Sequence, residues 1–168
     1  MTMTGAKPFI AAALSLALAC AGTAAAHRTP DAYITAERVE IGGEAVTALT
    51  IRLDAEDALR IASGSEALDA DLSKDEVKAR LATHLGLRLD IGEAELSYFG
   101  GEVEGDAVFV YLTGPAALEI RGARVLSSVY REWTNVVEDK RSDGPTRMFT
   151  QNGELAPGEQ LIHQRHKH

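Results

Sequence analysis

The sequence contains one cysteine, Cys20, which lies near the amino terminus. A single cysteine cannot build an intrachain disulfide framework or a cysteine-rich zinc site. Aromatic residues make up 5% of the 168 positions. No apolar run reaches the roughly 20 residues that a membrane-spanning helix needs. We therefore expect a domain that is held together by an aliphatic core.

Positive charge is also scarce. The chain has 17 Lys and Arg residues against 25 Asp and Glu residues, which gives a formal net charge of −8. This balance repels phosphate groups, and no basic face stands out in the sequence, so nucleic acid is excluded as a partner.

The sequence lacks the motifs of several enzyme classes. It has no G-x-S-x-G, no H-E-x-x-H and no phosphate-binding glycine loop. A hydrolase is the remaining enzymatic alternative, and it would need two carboxylates held at a fixed separation across a cleft. Glu102, Glu104 and Asp106 alternate beside Gly105, a pattern that favours a solvated hairpin tip. We therefore expect a protein that is not an enzyme.

The first 26 residues have the features of an export signal. Lys7 precedes an apolar run over residues 8–21, and the alanines at 24–26 form an Ala-x-Ala cleavage site. In a competing interpretation, ALAC is a lipobox and an acylated Cys20 anchors the protein to a membrane. The Ala-x-Ala site fits its motif better, so we expect cleavage there. The mature protein would then begin at His27, be soluble, and be periplasmic or secreted.

Short alternating stretches separated by glycine-bearing turns predict strands. DAYITAERVEI and AVTALTIRLD flank GGE and predict one hairpin; AELSYFGGEVE and AVFVYLTG flank GD and predict a second. AALEIRGARV, TNVVEDKR and PTRMFT supply three further strands. We predict a mainly β fold over residues 27–151, a two-sheet antiparallel sandwich with one or two short helices. Residues 152–168 are predicted to be a polar, histidine-rich, disordered tail.

Two segments have helical patterns. LSKDEVKARLATHLG offers Ser73 and Glu76 as a capping box and Gly86 as a stop. DAEDALRIASG predicts a shorter helix with acidic residues at its start, where the helix dipole favours them.

Most of the aromatic residues occur in or beside the predicted strands. We predict that these side chains lie in the core or on sheet faces rather than stacking on a ligand. They are Tyr98, Phe99, Phe109, Tyr111, Tyr130 and Trp133.

The order of several pieces is shared with a known group of proteins. The pieces are His27, TIRLDAEDALR, YFGGEVEGDAVFVYL, ARVLSSVYREWTNVV and RMFT. Together they resemble domain-of-unknown-function family 6702, a group of small secreted bacterial proteins. Two positions depart from that family's pattern. EDAL stands where Asp-Asp-Leu is usual, and Trp133 stands two positions before Asn135, where the family usually has a glutamine. The resemblance implies an extracytoplasmic, sandwich-like fold and no established activity.

Five histidines are candidate metal ligands. A mature amino-terminal His27 could chelate one ion through its α-amine and its imidazole, a geometry that suits copper. The remaining ligands would come from His84 or from the tail residues His163, His166 and His168. The alternative for His84 is a boundary residue near the end of a helix, where an imidazolium favours the dipole. The alternative for the tail is a solvated terminus.

Two functions follow from these observations. The first is a non-enzymatic exported protein that binds a cell-envelope protein partner, because sheet folds recognise partners through their loops and edges. The second is a periplasmic copper-type binding protein that uses His27.

Overall fold

The structure is a computed structural model that describes residues 31–64, 70–157 and 159–160. This part of the chain contains nine strands and two helices. In chain order they are β1 (Asp31–Ile41), β2 (Glu44–Asp54), α1 (Ala55–Ser63), α2 (Asp75–Gly86), β3 (Leu89–Asp90), β4 (Ser97–Glu104), β5 (Ala107–Pro115), β6 (Gly122–Ala123), β7 (Thr134–Asp139), β8 (Arg147–Thr150) and β9 (Gly153–Glu154).

Two glycine turns form the hairpins that the sequence predicts. Between β1 and β2, Gly42 and Gly43 have φ angles of +62° and +86°. Two consecutive residues with positive φ give the tight turn whose twist matches that of the paired strands. Gly105, with φ of +58°, begins the turn between β4 and β5. Both predicted hairpins are confirmed, and their short turns fix which side chains share a sheet face.

Seven strands form one sheet in the order β4-β5-β2-β1-β7-β8-β9. Neighbouring strands are antiparallel except β1 and β7, which are parallel. Strands β3 and β6 form a separate antiparallel pair. The predicted mainly β fold with two short helices is confirmed. It departs from an all-antiparallel sandwich in the β1–β7 pairing and in the small size of the second sheet.

The segment before β7 explains this difference. AALEIRGARV predicts a strand, but only Gly122–Ala123 is a strand within it. Its apolar residues Leu118, Ile120 and Val125 are instead buried in the core. The segment therefore covers one face of the large sheet. The chain then enters β7 at the end where β1 begins, so that Asp31 pairs with Thr134 and the two strands run parallel.

One face of the large sheet carries the core. Ile34, Ile51 and Val110 project from this face and are almost fully buried, while their sequence neighbours project from the opposite face. Leu81 and Leu85 of α2 are fully buried in the same cluster. Both helices contribute to this cluster and thus pack on the same side of the sheet.

The two helices begin differently. Asp54 caps α1, because its carboxylate accepts the amide of Glu56 at 2.9 Å. The capping box predicted for Ser73 in α2 is wrong: Lys74 is at the N-cap, and no side chain caps the helix. The Ser73 hydroxyl donates to Asp71 Oδ1 at 2.6 Å, and the Ser73 amide donates to the same oxygen at 3.0 Å. Ser73 therefore lies one residue before the N-cap, and its hydroxyl is directed toward Asp71.

The ordered sheet extends past the predicted tail boundary at residue 151. Gly153–Glu154 forms β9, and Glu154 accepts Arg147 Nε at 2.7 Å. The predicted cleavage site, Cys20, His27 and the tail histidines lie outside the described residues. Within the described residues, no helix has the length and apolar character needed to cross a membrane.

Candidate binding surface

The face of the sheet opposite the core carries a cross-strand row of large side chains. Tyr33 on β1 pairs with Arg52 on β2, which pairs with Phe109 on β5, which pairs with Glu102 on β4. In the next row, Tyr111 on β5 lies beside Phe109, two residues along the strand. We call these five residues the aromatic face. Paired residues of neighbouring strands project to the same side of the sheet, and so do residues two positions apart on one strand. All five side chains therefore lie on one face.

The aromatic face is partly exposed and internally connected. Tyr33 is 39% exposed, and Phe109 and Tyr111 are half-buried. The Arg52 guanidinium lies 5.6 Å from the centre of the Tyr33 ring, a cation–π contact. The Tyr111 hydroxyl donates to Glu102 Oε1, and this bond raises the pKa of Tyr111 to about 12. These contacts hold the side chains against the sheet, so the face has a defined shape before any partner binds.

Strand β4 is the outer strand of the sheet and has no strand partner on its far side among the described residues. Its register with β5 shifts between Tyr98 and Gly100, which places a bulge at Phe99. Phe99 is 67% exposed and Val103 is 43% exposed, which is unusual for apolar side chains on an edge.

A cleft of about 350 Å³ lies between the end of α2 and the start of β4. Gly86 and Leu87 line it from the helix side, and Leu96 and Tyr98 line it from the strand side. Leu87 is 77% exposed. We call this space the α2 cleft. Its volume is within the range of small-ligand sites, and its lining is mostly apolar.

His84 lies in the last turn of α2, as the sequence predicts. Its Nε2 is 3.0 Å from the hydroxyl oxygen of Ser128. Burial and, to a smaller extent, the charge of Arg88 lower its pKa below the ordinary value of 6.5. The partial burial of the ring and the charge of Arg88 therefore disfavour the imidazolium that the helix dipole would stabilise. His84 instead links α2 to the turn that contains Ser128.

The structure places one of the five predicted metal ligands, His84, and the other four are outside the described residues. Within the described part of the chain, no three His, Cys, Asp or Glu side chains lie close enough together to hold an ion. The copper-binding function that depends on His27 stays a prediction.

Two further polar clusters tie distant segments together. Arg141 forms a bidentate pair with Asp139, with both contacts at 2.7 Å, and donates to Thr47 Oγ1 at 2.7 Å. Arg147 donates to Glu154 and to the carbonyl of Ile120 at 2.7 Å. In both clusters the guanidinium is used within the fold, which is typical of structural roles.

The sequence predicts Phe109 and Tyr111 as core or sheet-face residues, and the structure places them on a sheet face, half-buried. It does not single out Tyr33. The signal for Tyr33 is present in the hairpin: in β2, Ile51 and Leu53 are apolar while Arg52 is charged, so Arg52 marks the outer face. Counting back through the two-residue turn places Tyr33 opposite Arg52.

Comparison of the chain with protein-family models, with curated proteins and with solved structures found no match. The resemblance to family 6702 therefore stays a prediction, and the function rests on the residues themselves.

Proposed function

We propose that this is an exported, non-enzymatic protein that binds a protein partner in the cell envelope through its aromatic face. The observation that carries this proposal is the continuous row from Tyr33 to Glu102 across four strands. Aromatic and arginine side chains are the residue types that dominate binding energy in protein interfaces.

The composition of the aromatic face also favours a protein as partner. Tyr33 and Tyr111 combine an apolar ring with a polar tip, and Arg52 and Glu102 supply charges of both signs beside them. A mixed face of this kind matches the anatomy of non-obligate interfaces, in which apolar anchors are surrounded by polar groups. The rings are already held by the Arg52 and Glu102 contacts, so binding costs little side-chain ordering.

Site-specific photocross-linking in intact cells tests the proposal. A benzophenone amino acid at Tyr33 is expected to cross-link one envelope protein, because Tyr33 is the most exposed of the three rings of the aromatic face. The control position is Arg124, an exposed residue in the segment that covers the core face. The same set of products from both positions, or no product at Tyr33, would contradict the proposal.

A second measurement asks whether the face itself carries affinity. Replacing Phe109 with Ser removes an anchor that is half-buried, and the partner found by cross-linking should then bind at least about tenfold more weakly. Glu138→Ser on β7 is the control, because this exposed residue lies in another row of the same sheet. Equal loss in both variants would argue for a general effect on folding rather than a contact.

A further inference from the structure

We propose that strand β4 and the α2 cleft together form a site for an extended, lysine- or arginine-rich segment of a partner protein, which adds to the sheet as an eighth strand. The proposal rests on the proposed function in that the occupant is a protein. It concerns the outer edge of β4, which shares only Glu102 with the aromatic face, and a different mode of recognition.

The first step is the free edge. Strand β4 spans eight residues and forms its ladder with β5 alone among the described strands, so its outer backbone groups face away from the sheet. Natural edges of this length are blunted, since they otherwise pair with other chains. The bulge at Phe99 and the charges of Glu102 and Glu104 are two such devices. They do not explain why the apolar side chains of Phe99 and Val103 are exposed. Exposed apolar side chains on an edge strand favour association with another chain.

The second step is charge. Glu102 and Glu104 are exposed on β4, and Glu95 is exposed just before it. The stem of Lys78 packs on Gly101, but its ammonium group donates to the carbonyl of Ser73 at 3.3 Å and so is directed elsewhere. A second copy of this chain would bring the same acids to the edge, and the chain as a whole has a net charge of −8. The edge is therefore complementary to a basic segment and repels its own copy.

The third step is the anchor. In strand addition, main-chain hydrogen bonds supply affinity and pockets for alternate side chains supply specificity. The α2 cleft opens beside the start of β4, since Tyr98 and Leu96 form one of its walls. It can receive one aliphatic side chain of the added strand. The end of α2 lies close to this wall, since a Cβ on Gly86 would make an ordinary van der Waals contact of 3.7 Å with Leu96 Cδ1.

A synthetic peptide tests the site without the native partner. The probe is a labelled peptide of about nine residues in which lysine alternates with valine and one valine near the end is leucine, long enough to span β4. Fluorescence anisotropy with the purified protein should show binding at least about tenfold tighter than for the same peptide with glutamate in place of lysine. Equal binding of both peptides would overturn the proposal.

Two modified peptides test the strand mode. The backbone amides of every second peptide residue face β4, and N-methylation of these amides should abolish binding. The amides of the intervening residues face away from β4, and their N-methylation should leave the affinity within a few-fold. Equal effects of both methylations would show that the peptide does not pair as a strand.

A protein variant locates the site. Glu104→Lys should weaken binding of the lysine peptide and strengthen binding of the glutamate peptide. Glu138→Lys, at a matched exposed position on β7, should change the binding of both peptides much less. Equal effects of the two variants, or concentration-dependent self-association of the unmodified protein through β4, would overturn the assignment. If the unmodified protein does not bind the lysine peptide while cross-linking at Tyr33 still captures a partner, this site is refuted and the proposed function stands.

Discussion

Asp57 and Tyr130, 73 residues apart in the chain, are joined by a 2.5 Å hydrogen bond from the tyrosine hydroxyl to the Asp57 carboxylate. Asp57 is buried in α1, and Tyr130 lies in the connection between β6 and β7. The Arg60 guanidinium lies 5.9 Å from the centre of the Tyr130 ring. Burial and the bond to Asp57 raise the pKa of Tyr130 to about 12, so the hydroxyl stays protonated and donates throughout the physiological range.

This bond leads to a stability prediction. Tyr130→Phe keeps the ring but removes one donor from a buried carboxylate, and the free energy of unfolding should fall by about 1–3 kcal/mol. Urea denaturation followed by circular dichroism measures the change. Tyr98→Phe is the control, because its hydroxyl donates to Asp75 at 2.7 Å at an exposed position where water can replace it. A loss at Tyr98 as large as that at Tyr130 would contradict the argument from burial.

Adjacent glycines in β4 supply a second prediction. A Cβ on Gly101 would lie 2.8 Å from the backbone oxygen of Phe109 and 3.2 Å from Lys78 Cδ, whereas a Cβ on Gly100 meets its nearest atom at 4.0 Å. Gly101→Ala should therefore destabilise the protein by about 1–3 kcal/mol, since the backbone oxygen cannot move aside. Gly100→Ala should change stability by less than about 0.5 kcal/mol. Equal midpoints for the two variants in thermal denaturation would count against this packing.

Local features of the fold are predictable from the sequence because their causes are local. The hairpins follow from glycines at the turns. The start of α1 after Asp54 follows from the preference for a side-chain oxygen at the N-cap. Ser73 shows the limit of this reasoning. Its capping box fits the motif, but the Ser73 hydroxyl is directed toward Asp71, two residues earlier, and the N-cap is Lys74. Two local signals then conflict, and the sequence does not say which is stronger.

The candidate surfaces were harder to predict because they depend on strand order. The position of β4 at the edge, which leaves Phe99 exposed, follows from β2 pairing with both β1 and β5. The parallel pairing of β1 with β7 joins residues about one hundred positions apart. No periodicity in the sequence encodes such pairings, which are set by packing of the whole chain. The α2 cleft likewise requires the helix and Leu96 to be placed in space.

The Arg141 cluster predicts a pH-dependent contribution to stability. The hydrogen bonds from Arg141 hold the pKa of Asp139 below its usual 3.8. A carboxylate whose pKa is lower in the folded state stabilises the fold at pH values above its pKa in the unfolded chain. This stabilisation is lost as the pH falls through its pKa in the folded state. Arg141→Gln should cost about 1 kcal/mol at neutral pH, because the partly exposed pair is screened by water.

The test of this cluster is a comparison across pH. The difference in unfolding free energy between the parent protein and Arg141→Gln should be constant from pH 7 to about 5 and should shrink below pH 4 as Asp139 is protonated. Lys140→Gln is the control, since its pair with Glu37 is exposed on both sides. A difference that persists undiminished at pH 2 would exclude the charge of Asp139 as its source.

His84 predicts a second pH effect in a different window. Its folded pKa is lower than 6.5, mainly because the ring is partly buried and secondarily because Arg88 is near. The unfolded chain therefore binds a proton more readily, so the free energy of unfolding should fall as the pH drops from about 7 through the folded pKa. His84→Asn should flatten this part of the stability curve.

Nuclear magnetic resonance of the imidazole measures the cause directly. The His84 titration should lie below 6.5, and Arg88→Gln should move it upward by removing the nearby positive charge, while Arg80→Gln on the same helix should move it much less. Ser128→Ala separates the hydrogen bond from the charge, because it removes the partner at 3.0 Å and leaves Arg88 in place. A His84 titration at or above 6.5 would contradict the argument that partial burial and the charge of Arg88 lower the pKa of this ring.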